Sequence, residues 1–261
     1  RKKIKFIKID ISKNNFLNLK ISNLFAIFHL AALADIVPSI NDPIRYYQVN
    51  VNGTLNMLEF AKKNKVKKIF YSASSTCYGI PKKYPTPENY KIDTKYPYAN
   101  SKYIGEQIIQ HFCSVYKINF ISLRLFNVYG PRSRTSGTYG AVFGVFLAQK
   151  LNNKPLTVVG SGNQKRDFTY VSDVVDAFII ALRREVKNQI INIGSGGCYS
   201  INYLVKLLNG KKIHIPKRPG EPNKTYADIS KAKKILNWYP KISFEEGVKK
   251  MLLNINNWTK A

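Results

Sequence analysis

Short apolar runs of strand length alternate with longer stretches that carry apolar residues on one helical face. No other feature constrains the chain as tightly. Residues 4–9 read as a strand, and 25–30 as a second, almost continuously apolar strand of the kind buried on both faces of a sheet. A helix is expected over about 44–64, where Val51, Leu55 and Leu58 mark one side, followed by a strand over 66–72. Residues 98–116 carry a helical stripe of Ile104, Ile108, Phe112 and Val115, and 119–125 return to a strand. This repetition predicts an α/β fold, a doubly wound, Rossmann-like parallel sheet covered by helices.

Beyond Pro131 the elements shorten, separated by Gly, Pro and Ser. Helices are expected over 141–151, 172–184, 201–208, 230–238 and 244–258, strands over 156–159 and 190–193, and a proline-rich stretch over 215–222. Asp228 is placed to cap the helix that starts near Ser230. A nucleotide-binding sheet should open with a strand and a glycine-rich turn, yet none precedes Ile4, and the expectation is that the chain begins after that turn. Gly160-Ser-Gly162 lacks a third glycine and Gly194-Ser-Gly-Gly197 ends at Ser200, so neither reads as the dinucleotide turn.

Composition removes whole classes. With 44% hydrophobic residues the chain can build a core, so its net charge of +27 does not imply disorder. No apolar run reaches the roughly 20 residues of a membrane span; the best, 25–34, is interrupted by His29. Cys77, Cys113 and Cys198 are odd in number and far apart, which excludes a disulfide framework and a CxxC metal site and fits a reducing cytoplasmic location. The 42 basic residues raise the alternative of a non-catalytic nucleic-acid-binding protein, but the runs are as short as Lys62-Lys63 and Lys67-Lys68. A solvated basic surface, with neither nucleic acid nor membrane as partner, is the favoured reading.

The sharpest chemical pattern is Tyr98-Ala-Asn-Ser-Lys102. With 17 tyrosines in so lysine-rich a chain, about two such pairs arise by chance, and Tyr78/Lys82 is the other. Pro81 falls inside that second pair, whereas Tyr98 and Lys102 sit at i and i+4 of an uninterrupted helix and share a face. A phenol is a poor base at neutral pH, and a neighbouring ammonium favours the phenolate. On the pair alone, a surface Tyr resting on a Lys stem explains as much. Upstream, Ser72-Ala-Ser74-Ser75-Thr76 leaves the end of a strand, where ligands bind in open α/β sheets, and Ser74 could hydrogen-bond the oxygen that Tyr98 deprotonates. A serine-rich turn is the plain alternative.

In order, His29-Leu-Ala-Ala32, Asn50-Val-Asn-Gly53-Thr54, Ser74 to Gly79, Tyr98xxxLys102 and Arg124-Leu-Phe-Asn-Val-Tyr-Gly130 resemble the extended short-chain dehydrogenase/reductases, and within them the nucleotide-sugar epimerase/dehydratase group. Arg166-Asp-Phe-Thr-Tyr-Val171, Asn192-Ile-Gly-Ser-Gly196, Arg218-Pro-Gly-Glu221 and Ala227-Asp228 continue the likeness, which covers essentially the whole chain. The resemblance implies NAD as cofactor, Tyr98 as base, Lys102 holding the nicotinamide ribose and lowering the Tyr98 pKa, and Ser74 orienting the sugar. It puts Asp10 and Ile11 at the adenine, Leu30, Ala31 and Ala32 along the cofactor, Asn50 and Ser72 in its shell, and Phe126 at the nicotinamide. Thr76, Asn127, Arg166, Arg218 and Glu221 would meet the nucleotide sugar, with two arginines able to clamp its diphosphate.

The resemblance also implies residues 1–130 as an NAD-binding domain incomplete at its start. Residues 131–261 would be mainly a nucleotide-sugar lobe, with 156–193 returning elements to the sheet. Dehydratases of this group carry Asp-Glu where Ser75 and Thr76 stand, and the decarboxylases need a Glu at Thr76. A hydroxyl is a poor acid/base near pH 7, which favours epimerisation at C4 of a UDP-hexose over dehydration or decarboxylation, with a reductase of the same fold as the alternative. Val142 to Gly144 departs from the common epimerase pattern and bears on sugar specificity. A homodimer through the helices near Val51 and Ile108 is the implied assembly.

Overall fold

A computed structural model describes residues 4–13, 16–19, 21–133, 142–216, 222–253 and 255. Strand β1 (Ala26–His29) leads into the short helices α1 (Ile36–Asn41) and α2 (Pro43–Tyr47). A π-helical turn, Gln48–Asn52, then feeds α3 (Gly53–Lys63). Strand β2 (Lys68–Ser74) ends in a 3-10 turn, Ser75–Tyr78; α4 (Pro97–Tyr116), β3 (Asn119–Leu125) and the two-residue β4 (Val128–Tyr129) follow. The second half runs α5 (Val142–Leu151), β5 (Leu156–Val159), β6 (Lys165–Arg166), β7 (Thr169–Tyr170), α6 (Val171–Arg183), β8 (Gln189–Ile193), β9 (Tyr199–Ser200), α7 (Ile201–Leu208), β10 (Lys212–Ile215), a π-helical turn Ala232–Leu236 and α8 (Phe244–Leu253).

Strands β1, β2, β3 and β8 form one parallel sheet in that order, with Ala26 opposite Lys68, Lys68 opposite Asn119 and Ile121 opposite Gln189. The α/β, doubly wound reading holds. Strand β3, strand β5 and helix α7 fall where the sequence puts them, residue for residue. Strand β2 is buried over nearly its whole length because helices cover both faces. On one face α3 and α4 supply Met57, Leu58, Ile109 and Cys113; on the other α6 supplies Val174, Ala177 and Phe178. Helix α4 lies close on the sheet at Gly105, where a Cβ would come within 2.6 Å of the Tyr71 hydroxyl. Lys68 is buried in this sheet because its Nζ caps the end of α6, donating to the carbonyls of Ala181 (2.8 Å) and Arg184 (3.1 Å). A second core gathers β5, α5, α7 and α8 around aromatic rings, with Phe168 stacked on Phe244 at 5.0 Å and Tyr129 on Phe143 at 4.2 Å.

Two expectations need correction. Residues 4–9 form no strand: Ile4 is 94% and Phe6 85% exposed, and no backbone ladder reaches them. Alternation gives a segment an apolar side, but a strand exists only where a neighbour accepts its hydrogen bonds. The expected single helix over 44–64 is instead α2, the π turn and α3, and an additional helix, α1, precedes them. Asp228 does accept from the Ser230 N–H (2.9 Å), as a cap should. Gly194 owes its place to packing, since a Cβ there would come within 2.5 Å of the Ala227 methyl.

His29 ends β1 as a buried neutral ring. The Thr54 hydroxyl donates to the Asn50 carbonyl (2.6 Å), so it accepts from His29 Nε2 (2.9 Å). Burial, with the nearby Lys102 charge, pulls the imidazole down to about 3 from 6.5. Below pH 6.5 the unfolded chain takes up a proton that the native ring refuses, so stability falls as pH drops toward 3. Comparing urea melts of wild type and His29→Gln at pH 7 and pH 4.5, the wild type is expected to lose about 2–3 kcal/mol more than the variant. Equal losses would mean that the ring is protonated at little cost.

Candidate active site

The carboxyl ends of β1, β2 and β3 open onto a cavity of about 570 Å³, within the size range of small-molecule sites. Leu30, Ala32, Ser72, Ser74, Thr76, Tyr98, Lys102, Asn127 and Arg166 all line it, together with Asp35, Tyr96, Phe146, Gln164 and Thr225. Ser74, the last residue of β2, caps the turn after the strand by accepting from the Thr76 N–H at 3.3 Å, and its hydroxyl shares a proton with Thr76 Oγ1 at 2.8 Å. Pro97 starts α4 and places Tyr98 at the second helical position with Lys102 one turn on.

Burial, helped by the charge of Asp35, pushes the Tyr98 phenol up, while the Ser74 hydroxyl beside it pulls the other way. Lys102 is buried too; desolvation brings it down to about 7, against an opposing pull from Glu106. Its Nζ lies 4.3 Å above the Tyr71 ring, and its carbonyl accepts from the Tyr71 hydroxyl at 3.1 Å. The expectation that Lys102 lowers the Tyr98 pKa is therefore not met by the protein's own groups: burial drives both side chains toward their neutral forms.

Other candidates divide. Asn50, in the π turn, does not line the cavity. Its amide brackets Leu33, accepting from the N–H (2.7 Å) and donating to the carbonyl (3.0 Å), and also donates to the Ser101 hydroxyl (3.0 Å). Ser101 in turn donates to the Tyr98 carbonyl at 2.9 Å, so Asn50 ties the 30–34 segment to the start of α4. Ala31 is not among the lining residues. Phe126 points into the core, 2% exposed and 6.2 Å from the Tyr78 ring, because side chains alternate and its neighbours Leu125 and Asn127 take the cavity side. Asn127 lines the cavity, but both its N–H groups are taken, by the Asp167 carbonyl (3.2 Å) and Thr225 Oγ1 (2.7 Å), so its side chain is no free donor to a diphosphate.

Asp10 and Ile11 lie away from the cavity: Asp10 accepts from Ser12, and Ile11 packs over Gly53. Arg218 and Glu221 fall outside the described residues.

Two buried acids escaped sequence reasoning. Asp167 is fully buried and accepts from the Ser195 N–H (2.6 Å) and hydroxyl (2.8 Å) and the Ala227 N–H (3.0 Å), while burial raises it to about 6. It holds together the segments beside Arg166. Glu106, one turn beyond Lys102, pairs with Arg124 in the sheet. A carboxylate at i+8 from Tyr98 on the inner helical face was the available signal. Among the described residues no cluster of His, Cys, Asp and Glu could hold a metal ion, and no helix is long and apolar enough to cross a membrane.

A parallel sheet with a Tyr–Lys helix beside a Ser-bearing strand end defines a Rossmann-type site of the short-chain dehydrogenase/reductase kind. Residues 1–251 match the family model described as GDP-mannose 4,6 dehydratase, and the chain belongs to that nucleotide-sugar epimerase/dehydratase family. It is 37% identical over 268 residues to the UDP-glucuronate 4-epimerase of Thermodesulfobacterium geofontis, covering 98% of this chain and 79% of that one. The UDP-glucose 4-epimerase of Thermotoga maritima, solved with UDP-glucose, superposes with a TM-score of 0.89 at 32% identity over 97% of this chain and 84% of that one. The UDP-glucuronic acid 4-epimerase of Bacillus cereus, solved with UDP-glucuronic acid and NAD, gives a TM-score of 0.82 at 30% identity, covering 95% of this chain and 79% of that one.

Proposed function

We propose that the chain interconverts a UDP-hexose and its C4 epimer with bound NAD. The observation that carries this reading is the meeting of Ser74, Tyr98 and Lys102 in one cavity at the carboxyl edge of the sheet. Bound NAD+ would supply the acceptor, and then the donor, of the hydride at C4. The residues fit it: the small side chains of Ala32 and Ser72 leave a groove along the strand ends, and the Lys102 ammonium lies over a ring rather than on a carboxylate. A ribose hydroxyl there would give Lys102 an acceptor, favouring its charged form, and that charge would favour the Tyr98 phenolate. The shift expected from sequence thus arises with the cofactor in place.

Tyr98 then takes the proton of the C4 hydroxyl as the hydride leaves C4, giving a 4-keto sugar. Ser74 holds the oxygen, and Tyr98 returns the proton when the hydride comes back to the other face. Arg166 faces the cavity where it can meet the diphosphate. Thr76 lines the cavity with a hydroxyl bonded to Ser74, which supplies no carboxyl group for dehydration or decarboxylation. The named relatives support C4 as the reacting carbon. The same reading puts a homodimer contact on α3 and α4, where Leu55 stays 44% exposed.

Incubating the full-length protein with NAD+ and UDP-glucose should produce a UDP-galactose signal by proton NMR, with no net accumulation of reduced cofactor. A 4-keto-6-deoxy product, or stoichiometric NADH, would refute the assignment.

A further inference from the structure

In a doubly wound sheet helices end and strands begin at one edge, opposite the edge that carries the site. Here that amino edge collects cations distant in sequence. The α3–β2 connection supplies Lys62, Lys63, Lys65 and Lys67; the α4–β3 turn supplies Lys117; the α6–β8 turn supplies Arg183, Arg184 and Lys187. All eight are exposed, Glu185 is the single acid in these three connections, and none of the eight forms an ion pair among the described residues. The connections at the opposite edge, residues 30–35, 75–96, 126–133 and 194–198, carry five basic and three acidic residues. Among the sheet's own connections, the cations are therefore concentrated at the amino edge. Complementing helix dipoles accounts for Lys62, Lys63 and Arg183 but not for the cations beyond the helix ends.

Backbone bonds join these connections into one surface. The Lys67 N–H donates to the Phe25 carbonyl (3.0 Å), and the Asn119 N–H to the Lys67 carbonyl (3.1 Å). The Phe120 N–H donates to Asn188 Oδ1 (3.2 Å). Four strands about 4.8 Å apart make the edge roughly 15 Å wide. Two aromatic side chains stand in it: Phe25, 59% exposed, and Tyr116, 43% exposed with Lys62 Nζ 4.3 Å over its ring.

We propose that this edge docks on an anionic lipid bilayer. Cations spread over three connections match a diffuse negative surface, and the exposed Phe25 and Tyr116 rings suit the headgroup–acyl boundary, which phosphates alone would not need. Bound this way, the chain turns its cavity toward the water, open to small charged substrates. The docking does not depend on the reaction proposed above.

Flotation of the full chain with vesicles tests it. Retention is expected on phosphatidylcholine mixed with phosphatidylserine, absent on phosphatidylcholine alone, and lost in about 1 M salt, where screening shortens to about 3 Å. At roughly fivefold per cation, the triple variant Lys63→Glu, Lys67→Glu, Lys187→Glu should weaken partitioning at least about a hundredfold. The same charge change at Lys82, Lys83 and Lys91, on the opposite edge, should alter it by less than about threefold. Lys187→Glu alone, expected to lose about fivefold, serves if the triple variant melts early. Phe25→Ser should weaken vesicle binding further. Equal losses from the two triple variants, no dependence on phosphatidylserine, or binding to duplex DNA without binding to vesicles would each overturn the proposal.

Discussion

Replacing Glu106 by alanine is expected to destabilise the chain by about 3–5 kcal/mol, the usual consequence of stripping one partner from a buried ion pair. Glu106 is 1% and Arg124 4% exposed. The guanidinium meets the carboxylate through Nη2 at 2.6 Å and Nε at 3.2 Å, and the Ser122 hydroxyl donates to Oε2 at 2.7 Å. Arg124 Nη1 continues to the Tyr78 hydroxyl (2.9 Å) and the Glu88 carbonyl (3.0 Å), and Tyr78 donates to Asn192 Oδ1 (2.7 Å). The network thus binds α4, the turn after β2, β3 and β8 together. Truncation leaves a full positive charge with no counterion in the core. Loss of Glu106 also removes the group that holds the Lys102 pKa up. Urea denaturation reads the loss as a lower midpoint; a Glu106→Ala variant within about 1 kcal/mol of wild type would show that water reaches the pair. Glu106→Leu with Arg124→Met should recover much of the stability, because no charge is then stranded.

Tyr98→Phe should lower kcat for C4 epimerisation about 10²–10⁴-fold, the usual worth of a positioned acid/base. Binding of the sugar nucleotide should change little. The ring stays in place, since its edge-to-face contact with Tyr46 at 6.4 Å does not use the hydroxyl. Lys102→Met should act at a different point, weakening cofactor binding as well as turnover. A Tyr98→Phe enzyme retaining more than about a tenth of wild-type kcat would remove Tyr98 from the proton transfer.

What could be read from the sequence follows from which interactions are local. Periodicity located β3, β5 and α7 because each is set by its own apolar pattern and its flanking turns. The Ser74, Tyr98 and Lys102 constellation was legible because two of its members lie one helical turn apart and the third ends a strand of the same sheet. The strand expected at 4–9 failed because pairing is a property of neighbours, not of the segment. Phe126 departs from the expectation while Asn127 keeps the cavity side: the alternation at the end of β3, invisible until the strand is oriented, turns Phe126 inward. Asn50 does not reach the cavity, because its three side-chain hydrogen bonds go to residues 17 and 51 positions away, a tie that the local sequence does not display. The amino-edge cations were hidden for the same reason, dispersed along the chain and gathered only by the parallel topology.

The most direct test of the central claim follows a label. With UDP-glucose deuterated at C4 and bound NAD, the expected product is UDP-galactose carrying deuterium at C4, because the hydride removed is the one returned. Deuterium lost to water, or found at C6 of a dehydrated product, would contradict it.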